Sequence, residues 1–434
     1  MSTLATRPPA PERFADDRIR LDPPRVKAEP PGRLALAWGR LPVWLQIVVV
    51  WALSRVVTTA ILLAFAANQE ETWQTPLHPD LITFSNIWDG EWYRWIGAHA
   101  YPSELPLDSS GHVTANARAF MPIFPMIVRA LTLLTGASFE LMAVVVSTAF
   151  GLASAFMLHR LLTLVVDRGT AMFAVVLYCV MPLSPLLQVG YAESMQMFFV
   201  SLLLYLLVKR EWLVMAPVIV IASLVRPTGL AWACTLGLYC LARWWRAWRG
   251  TEAFGRTEQL RVVGVGLLSL AMGFAWPAIA WLVTGELHAY VDTELSWRAQ
   301  YTGPTELTPF TPWFVAAAWW FGFWKLGATA GYVAGALVVG VLAAVFIVPQ
   351  PRVFRRLGLE VRLWLASYLL YILAVFFPQS SVFRMLMPLF PALGALALPR
   401  SPIYRVALVL ASVAGQVLWV WGMWFVIGRD WSPA

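Results

Sequence analysis

The chain predicts an all-α polytopic membrane protein, with about ten to twelve transmembrane helices of bilayer-spanning length. Three observations carry that prediction. Hydrophobic residues make up 59% of the 434 positions and charged residues only 13%, against about 25% charged in an average soluble domain. The apolar runs are long and lack strict alternation, which excludes a β-barrel. The basic residues behind the +8 formal charge gather in short loops, as expected of the cytoplasmic flanks of membrane helices rather than of a nucleic-acid surface. The abundant Trp belongs largely to the two membrane interfaces.

Residues 1–42 are polar, rich in Pro, Arg and Asp, and have no apolar period, so they predict a disordered tail. They lack the short apolar core and cleavage site of a signal peptide. Eight Lys/Arg against five Asp/Glu put this tail in the cytoplasm. The rest, 43–434, reads as one membrane-embedded domain. A first span at 43–67 runs outward. The loop 68–118 follows, with seven carboxylates and only Arg94 and Arg118 as bases, and is the first outer loop. Residues 119–135 are apolar but short, with Pro122 and Pro125. Further spans are expected near 139–158, 170–187, 191–208, 212–225, 228–242, 262–284, 313–348 (one long or two broken pieces), 362–377, 383–398 and 403–427. Arginines at 243–261 and 349–362 place those loops inside. Four carboxylates against Arg298 place 285–312 outside, as a second outer loop. These assignments agree if 119–135 does not fully cross, or if a short span near Arg226 is re-entrant. Cys179, Cys234 and Cys240 lie in apolar runs without a CxxC pair and read as buried thiols.

Ionisable groups inside apolar sequence are costly and mark function by default. Glu193, in Gly190-Tyr-Ala-Glu-Ser194, opens a span. Arg55, Arg129, Arg226, Lys325 and Arg384 are the bases to weigh against simple snorkelling or structural pairing. Arg226 and Arg384 stand out, because Pro227 and Gly229 interrupt one run and Pro378 and Pro388 flank the other. Broken helices at membrane depth are tolerated where they line a cavity, and a guanidinium there suits a phosphate. Arg298 in the second outer loop is a third candidate.

The segment Asn86–Tyr101 of the first outer loop combines carboxylates with aromatic plates. Asp89 and Glu91, two residues apart, point to different faces of a helix. One carboxylate suffices for inverting sugar transfer, taking the proton of an acceptor hydroxyl while a phosphate leaves the anomeric carbon. Positive charge assists the leaving group. Trp88, Trp92 and Tyr93 supply flat faces for a ring. A metal site from Asp89, Glu91, His99 and His112 matches no standard ligand spacing, so no metal is expected. There is no P-loop, GxSxG or HExxH in a fitting context.

Trp88-Asp-Gly-Glu-Trp-Tyr93 with Ile96 and Tyr101 resembles the WDxxWY…I…GY signature of the PIG-V-like mannosyltransferases, relatives of GPI mannosyltransferase 2. Phe120–Arg129 is similar to their FFPLYPLLVR segment, Gly190–Ser194 to their YTES or YSES, and Ser223–Gly229 to their SxxRPTG. The four motifs occur in family order over 86–229. The C-terminal half is similar only loosely, around Trp297-Arg298 and Arg384. Two departures are Ala100, where the family has Gly, and the extra acid Glu91. The resemblance implies a GT-C glycosyltransferase that uses a polyprenyl-phosphate sugar, typically mannose, on the non-cytoplasmic face. The acceptor would be a glycan or glycolipid, with no nucleotide or other cofactor and with a bacterial plasma membrane as the expected location. On it Asp89 is the catalytic candidate, with Glu91 as its rival, and Tyr191, Glu193 and Arg226 line the pocket. A transporter or flippase of a lipid-linked glycan is the alternative. It would use the same arginines and aromatics for binding alone, but no internal repeat supports it.

Overall fold

The computed structural model describes residues 38–347 and 352–426. The chain divides into two units at Gln46. Within the first, the Gln46 amide donates to the carbonyls of Trp38 and Leu41, both at 3.0 Å. Most of the expected disordered cytoplasmic tail, residues 1–37, lies outside the described residues. The second unit, from Ile47 onward, carries everything discussed below.

The described residues are helical apart from loops and one isolated bridge between Leu107 and Val113, as the all-α prediction requires. Among them five helices are long and apolar enough to cross a membrane. They are α1 (Val43–Ala66), α4 (Phe139–Leu162), α9 (Arg256–Thr284), α13 (Gly358–Val375) and α14 (Pro402–Trp419), the last continued by a π turn over Val420–Trp424. Large apolar side chains such as Leu53, Val56, Leu267 and Leu410 stay exposed on them. Water does not tolerate faces of this length and apolarity, so they are lipid-facing surfaces of an integral membrane protein.

Further helices complete the bundle. They are α5 (Arg168–Val180), α6 (Glu193–Lys209), α7 (Trp212–Ser223), α8 (Gly229–Trp248) and α12 (Ala328–Ile347). The bundle has an acidic end, formed by residues 67–122 and 285–311. At its opposite, basic end Arg210, Arg243 and Arg246 pair with Glu252 and Glu258 at 2.8–3.7 Å. Loop charge therefore sorts the ends as the sequence predicts.

Three segments depart from simple spans. Residues 119–135 do not cross. Their helix α3 (Ile123–Thr135) starts with Ile123 N–H donating to Leu224 O at 3.1 Å. The helix after it, α4, begins with Phe139 against Gly97. Both ends of α3 are thus at the acidic end, and one long apolar side suits a helix lying along an interface. Residues 313–348 form a hairpin. In α11 (Pro312–Phe323) the Trp313 indole donates to Ile372 O at 3.1 Å and the Trp320 indole to Pro378 O at 2.9 Å. So α11 climbs alongside the end of α13, and α12 returns against it, with Gly331 touching the backbone of Ala317 and Ala318. The third is 383–398, expected as a span. It is broken into Val382–Met385, Met387–Ala392 and Leu393–Leu396, because Pro388 and Pro391 remove helix donors. Buried neighbours take up the freed carbonyls: the Tyr368 hydroxyl donates to Met385 O at 2.8 Å and the Trp364 indole to Pro388 O at 2.9 Å. Irregular backbone at this depth requires such protein partners.

Arg55 has a structural role. It donates to Cys179 O (2.9 Å), Ser184 O (3.0 Å) and Gln188 Oε1 (3.1 Å), and lies over the Trp51 ring. It thereby satisfies the non-helical stretch between α5 and α6.

Candidate active site

Four charged side chains from four separate segments meet at the acidic end. Asp89 and Glu193 each open a helix, α2 (Asp89–His99) and α6, where the helix dipole favours a carboxylate. Arg226 lies in the turn between α7 and α8. Arg384 sits on the first piece of the broken segment. Arg384 Nη1 is ion-paired with Asp89 Oδ2 and lies 3.6 Å from Glu193 Oε1. Arg226 Nη2 is ion-paired with the same Glu193 oxygen. The cluster is secluded, with side-chain exposures of 14% for Asp89, 8% for Arg384, 13% for Arg226 and 2% for Glu193.

Local sequence explains each placement. Trp88 adopts φ 58°, ψ −119°, a region that L-residues rarely occupy and that other contacts must hold. Here its N–H donates to Gln74 Oε1 at 2.9 Å and its indole to Trp424 O at 3.0 Å. The Asp89 amide donates to the Tyr191 hydroxyl at 2.9 Å. Tyr191 is itself fixed by Ser147 Oγ donating to its carbonyl at 2.7 Å. Its ring lies 5.3 Å from the Arg384 guanidinium, a cation–π contact. Gly229 sets Arg226: a Cβ there would meet Gly273 N at 2.6 Å and Cα at 2.7 Å, so only glycine lets α8 approach α9. Ala100, at the other end of α2, has φ 61°, ψ −146°. The position where the resembled family carries Gly is one that glycine alone occupies without strain.

Polar atoms remain unmatched in the cluster. Arg226 Nε, Arg384 Nε and Glu193 Oε2 are buried and make no hydrogen bond within the protein. Buried polar atoms of this kind require an explanation. Two guanidinium N–H groups beside a carboxylate suit an anionic, oxygen-rich ligand.

The structure separates the other expected site residues. Glu91 is half-exposed and turned to Arg94, 4.0 Å away, so it does not join Asp89. Tyr93 and Tyr191 are buried in an aromatic layer with Phe120 and Phe124, and Trp88 is buried beside them. In this conformation they support the site rather than offering open faces. Trp92 is only partly buried, stacked on Phe120 with its edge to Trp297, both at 5.9 Å. Arg298 lies apart, donating to Glu306 O at 2.6 Å, and burial holds its guanidinium below its ordinary range. Among the described residues no group of three His, Cys, Asp or Glu side chains converges.

One residue of the site is not singled out by the sequence. Helix α10 (Ala289–Thr302), in the loop 285–312, carries Glu294 into electrostatic reach of Asp89 and Arg226. Burial pushes its carboxyl up to about 7, and Asp89 adds to that. Tyr290 and Arg226 oppose it. In sequence Glu294 is one of four acids in a loop, and no spacing relates it to Asp89.

No family model matches the chain, and no curated protein does. Among solved structures, the apo oligosaccharyltransferase of Archaeoglobus fulgidus superposes with a TM-score of 0.44 at 14% identity, over 86% of this chain and 55% of that one. The archaeal oligosaccharyltransferase AglB of the same organism, with an inhibitory peptide and a dolichol-phosphate, gives 0.43 at 12% identity, over 86% and 55%. The complex with Zn and sulfate gives 0.40 at 13%, over 85% and 52%. The chain spans about half the length of these structures. A likeness this loose fixes neither family nor activity.

Proposed function

We propose that the chain is a GT-C-type inverting glycosyltransferase that moves a sugar, in the first instance mannose, from a polyprenyl-phosphate donor to a glycan or glycolipid acceptor. The observation that carries this reading is the Asp89–Arg384–Glu193–Arg226 cluster, which pairs one partly accessible carboxylate with two arginines that keep buried N–H groups free. In the reaction the acceptor oxygen attacks the anomeric carbon. The bond from that carbon to the phosphate oxygen breaks, with its electron pair leaving on the phosphate. The acceptor proton passes to Asp89. Arg384 aims Asp89, and the free edges of Arg384 and Arg226 stabilise the leaving lipid phosphate. Glu193 holds the two arginines together and limits their mutual repulsion. The four motifs of 86–229 that resemble the PIG-V-like mannosyltransferases support mannose. The acidic end is then the non-cytoplasmic face.

The test uses purified protein in nanodiscs, radiolabelled polyprenyl-phosphate-mannose and a membrane lipid extract. Wild type is expected to form a labelled glycolipid and Asp89→Asn none. Saturable donor binding by both proteins with no product from either would replace this reading with the transporter.

A further inference from the structure

Glu294 is not needed by the chemistry above, yet its surroundings are those of a ligand-binding group. Helix α10 is clamped over the site. Asn116 Nδ2 donates to Thr293 Oγ1 at 2.9 Å, and Trp297 sets its ring edgewise against Trp92 at 5.9 Å and Phe120 at 6.2 Å. Tyr301, two turns on from Glu294, stacks on Phe377 at 5.6 Å. These contacts fix the residue between them. Glu294 itself is solvent-accessible, at the end of the bundle where Asp89 and Arg226 lie within its electrostatic reach. The groups that face it are Tyr290 on its own helix, within hydrogen-bonding reach, Asp89 on α2 and Arg226 in the turn before α8. Tyr371 on α13 faces both Glu294 and Tyr290. Among the described residues no ion pair joins it to an arginine.

We propose that Glu294 is the acceptor-positioning carboxyl of this site: it hydrogen-bonds a hydroxyl of a sugar acceptor, so that a second hydroxyl of the same ring meets Asp89. This rests on the glycosyltransferase reading. A carboxyl is a poor partner for a lipid phosphate and a good one for a polyol, as donor when protonated and as acceptor when ionised. Trp92 and Trp297, at right angles beside it, give an apolar wall for the ring. With its proton held to near neutrality, Glu294 donates on the acid side of pH 7 and only accepts on the alkaline side. Acceptor recognition therefore changes with pH.

The experiment has two arms in nanodiscs. In the first, methyl α-mannoside and methyl α-glucoside are titrated by saturation-transfer difference NMR at pH 6 and pH 8. Wild type binds one of them more weakly at pH 8. Glu294→Gln, isosteric and always a donor, removes that pH difference. Glu294→Ala weakens binding about tenfold, the equivalent of one hydrogen bond. In the second arm, transfer kinetics with the lipid extract show a raised acceptor KM for Glu294→Ala at nearly unchanged kcat and donor KM. Wild-type-like sugar affinity in both variants, no binding of either sugar by wild type, or a loss confined to kcat or donor KM would overturn the proposal. Saturable, Glu294-dependent sugar binding without any transfer would instead leave Glu294 standing and remove the transferase reading.

Discussion

Arg384 and Asp89 form a buried ion pair across 295 positions of sequence. The same guanidinium nitrogen lies 3.6 Å from Glu193, so one arginine ties the loop 68–118 to the broken C-terminal segment and to the start of α6. A charge pair this secluded is costly to break from one side, because the partner is left buried and unpaired.

Asp89→Asn is expected to lower transfer at least about a hundredfold, the scale lost with a general base, and to lower the melting temperature, because Arg384 keeps only Glu193 as counter-charge. Glu91→Gln, on a half-exposed residue facing Arg94, is expected to keep near wild-type activity. Radiolabel transfer by the two purified variants checks this. The reverse order would move the base to Glu91.

Arg226→Met leaves Glu193 with Arg384 as its remaining cation and is expected to destabilise the fold by about 3–5 kcal/mol, as one-sided loss of a buried pair does. Combining it with Glu193→Gln should recover part of that loss. Denaturant unfolding of the four proteins gives the coupling energy. Strict additivity would show that the pair does not act as a unit.

Ala100→Gly is expected to stabilise the protein by about 1–2 kcal/mol by relieving backbone strain, since Ala100 sits at φ 61°, ψ −146°. Thermal unfolding of the variant in detergent is the check. Gly229→Ala should do the opposite, by about 1–3 kcal/mol as overpacking does, because its methyl would overlap the Gly273 backbone. It should also weaken donor binding by shifting Arg226.

The raised carboxyl of Glu294 has a definite sign. Its ordinary value is 4.5 and its value in the fold about 7. Between these the unfolded chain releases the proton first, so Glu294 makes stability fall as pH rises from 4.5 to 7. Below and above that window its contribution is constant. Glu294→Gln should flatten the wild-type curve across this window and leave it parallel elsewhere. Melting temperatures from pH 4 to pH 8 read this directly.

Much of the architecture was legible in the sequence because lipid imposes one-dimensional rules. Apolar run length marks α1, α4, α9, α13 and α14, and loop charge separates the two ends of the bundle. The same logic made Glu193, Arg226 and Arg384 conspicuous, since charges within apolar sequence are costly wherever they end up. Asp89 stood out by its aromatic neighbours. The rule failed where neighbouring protein, rather than the segment's own composition, satisfies the backbone. The expected 383–398 span breaks into short pieces at Pro388 and Pro391, and Tyr368 and Trp364 take up carbonyls of the broken stretch. The short, Pro-containing run at 119–135, whose crossing the sequence left open, stays at one end, where Ile123 N–H donates to Leu224 O.

By itself, then, the sequence determined a polytopic helical membrane protein with an acidic first outer loop and a small set of costly charges. Only the tertiary structure decided how those charges combine. It joined Asp89 to Arg384, turned Glu91 away, buried Tyr93 and Tyr191 as support, left Arg298 aside and brought Glu294 over the site. The physical reason is that hydropathy and helix period are local quantities, summed along the chain. A charge cluster is a long-range one, set by which helix ends and broken segments meet once residues such as Trp88 and Gly229 have fixed their approach.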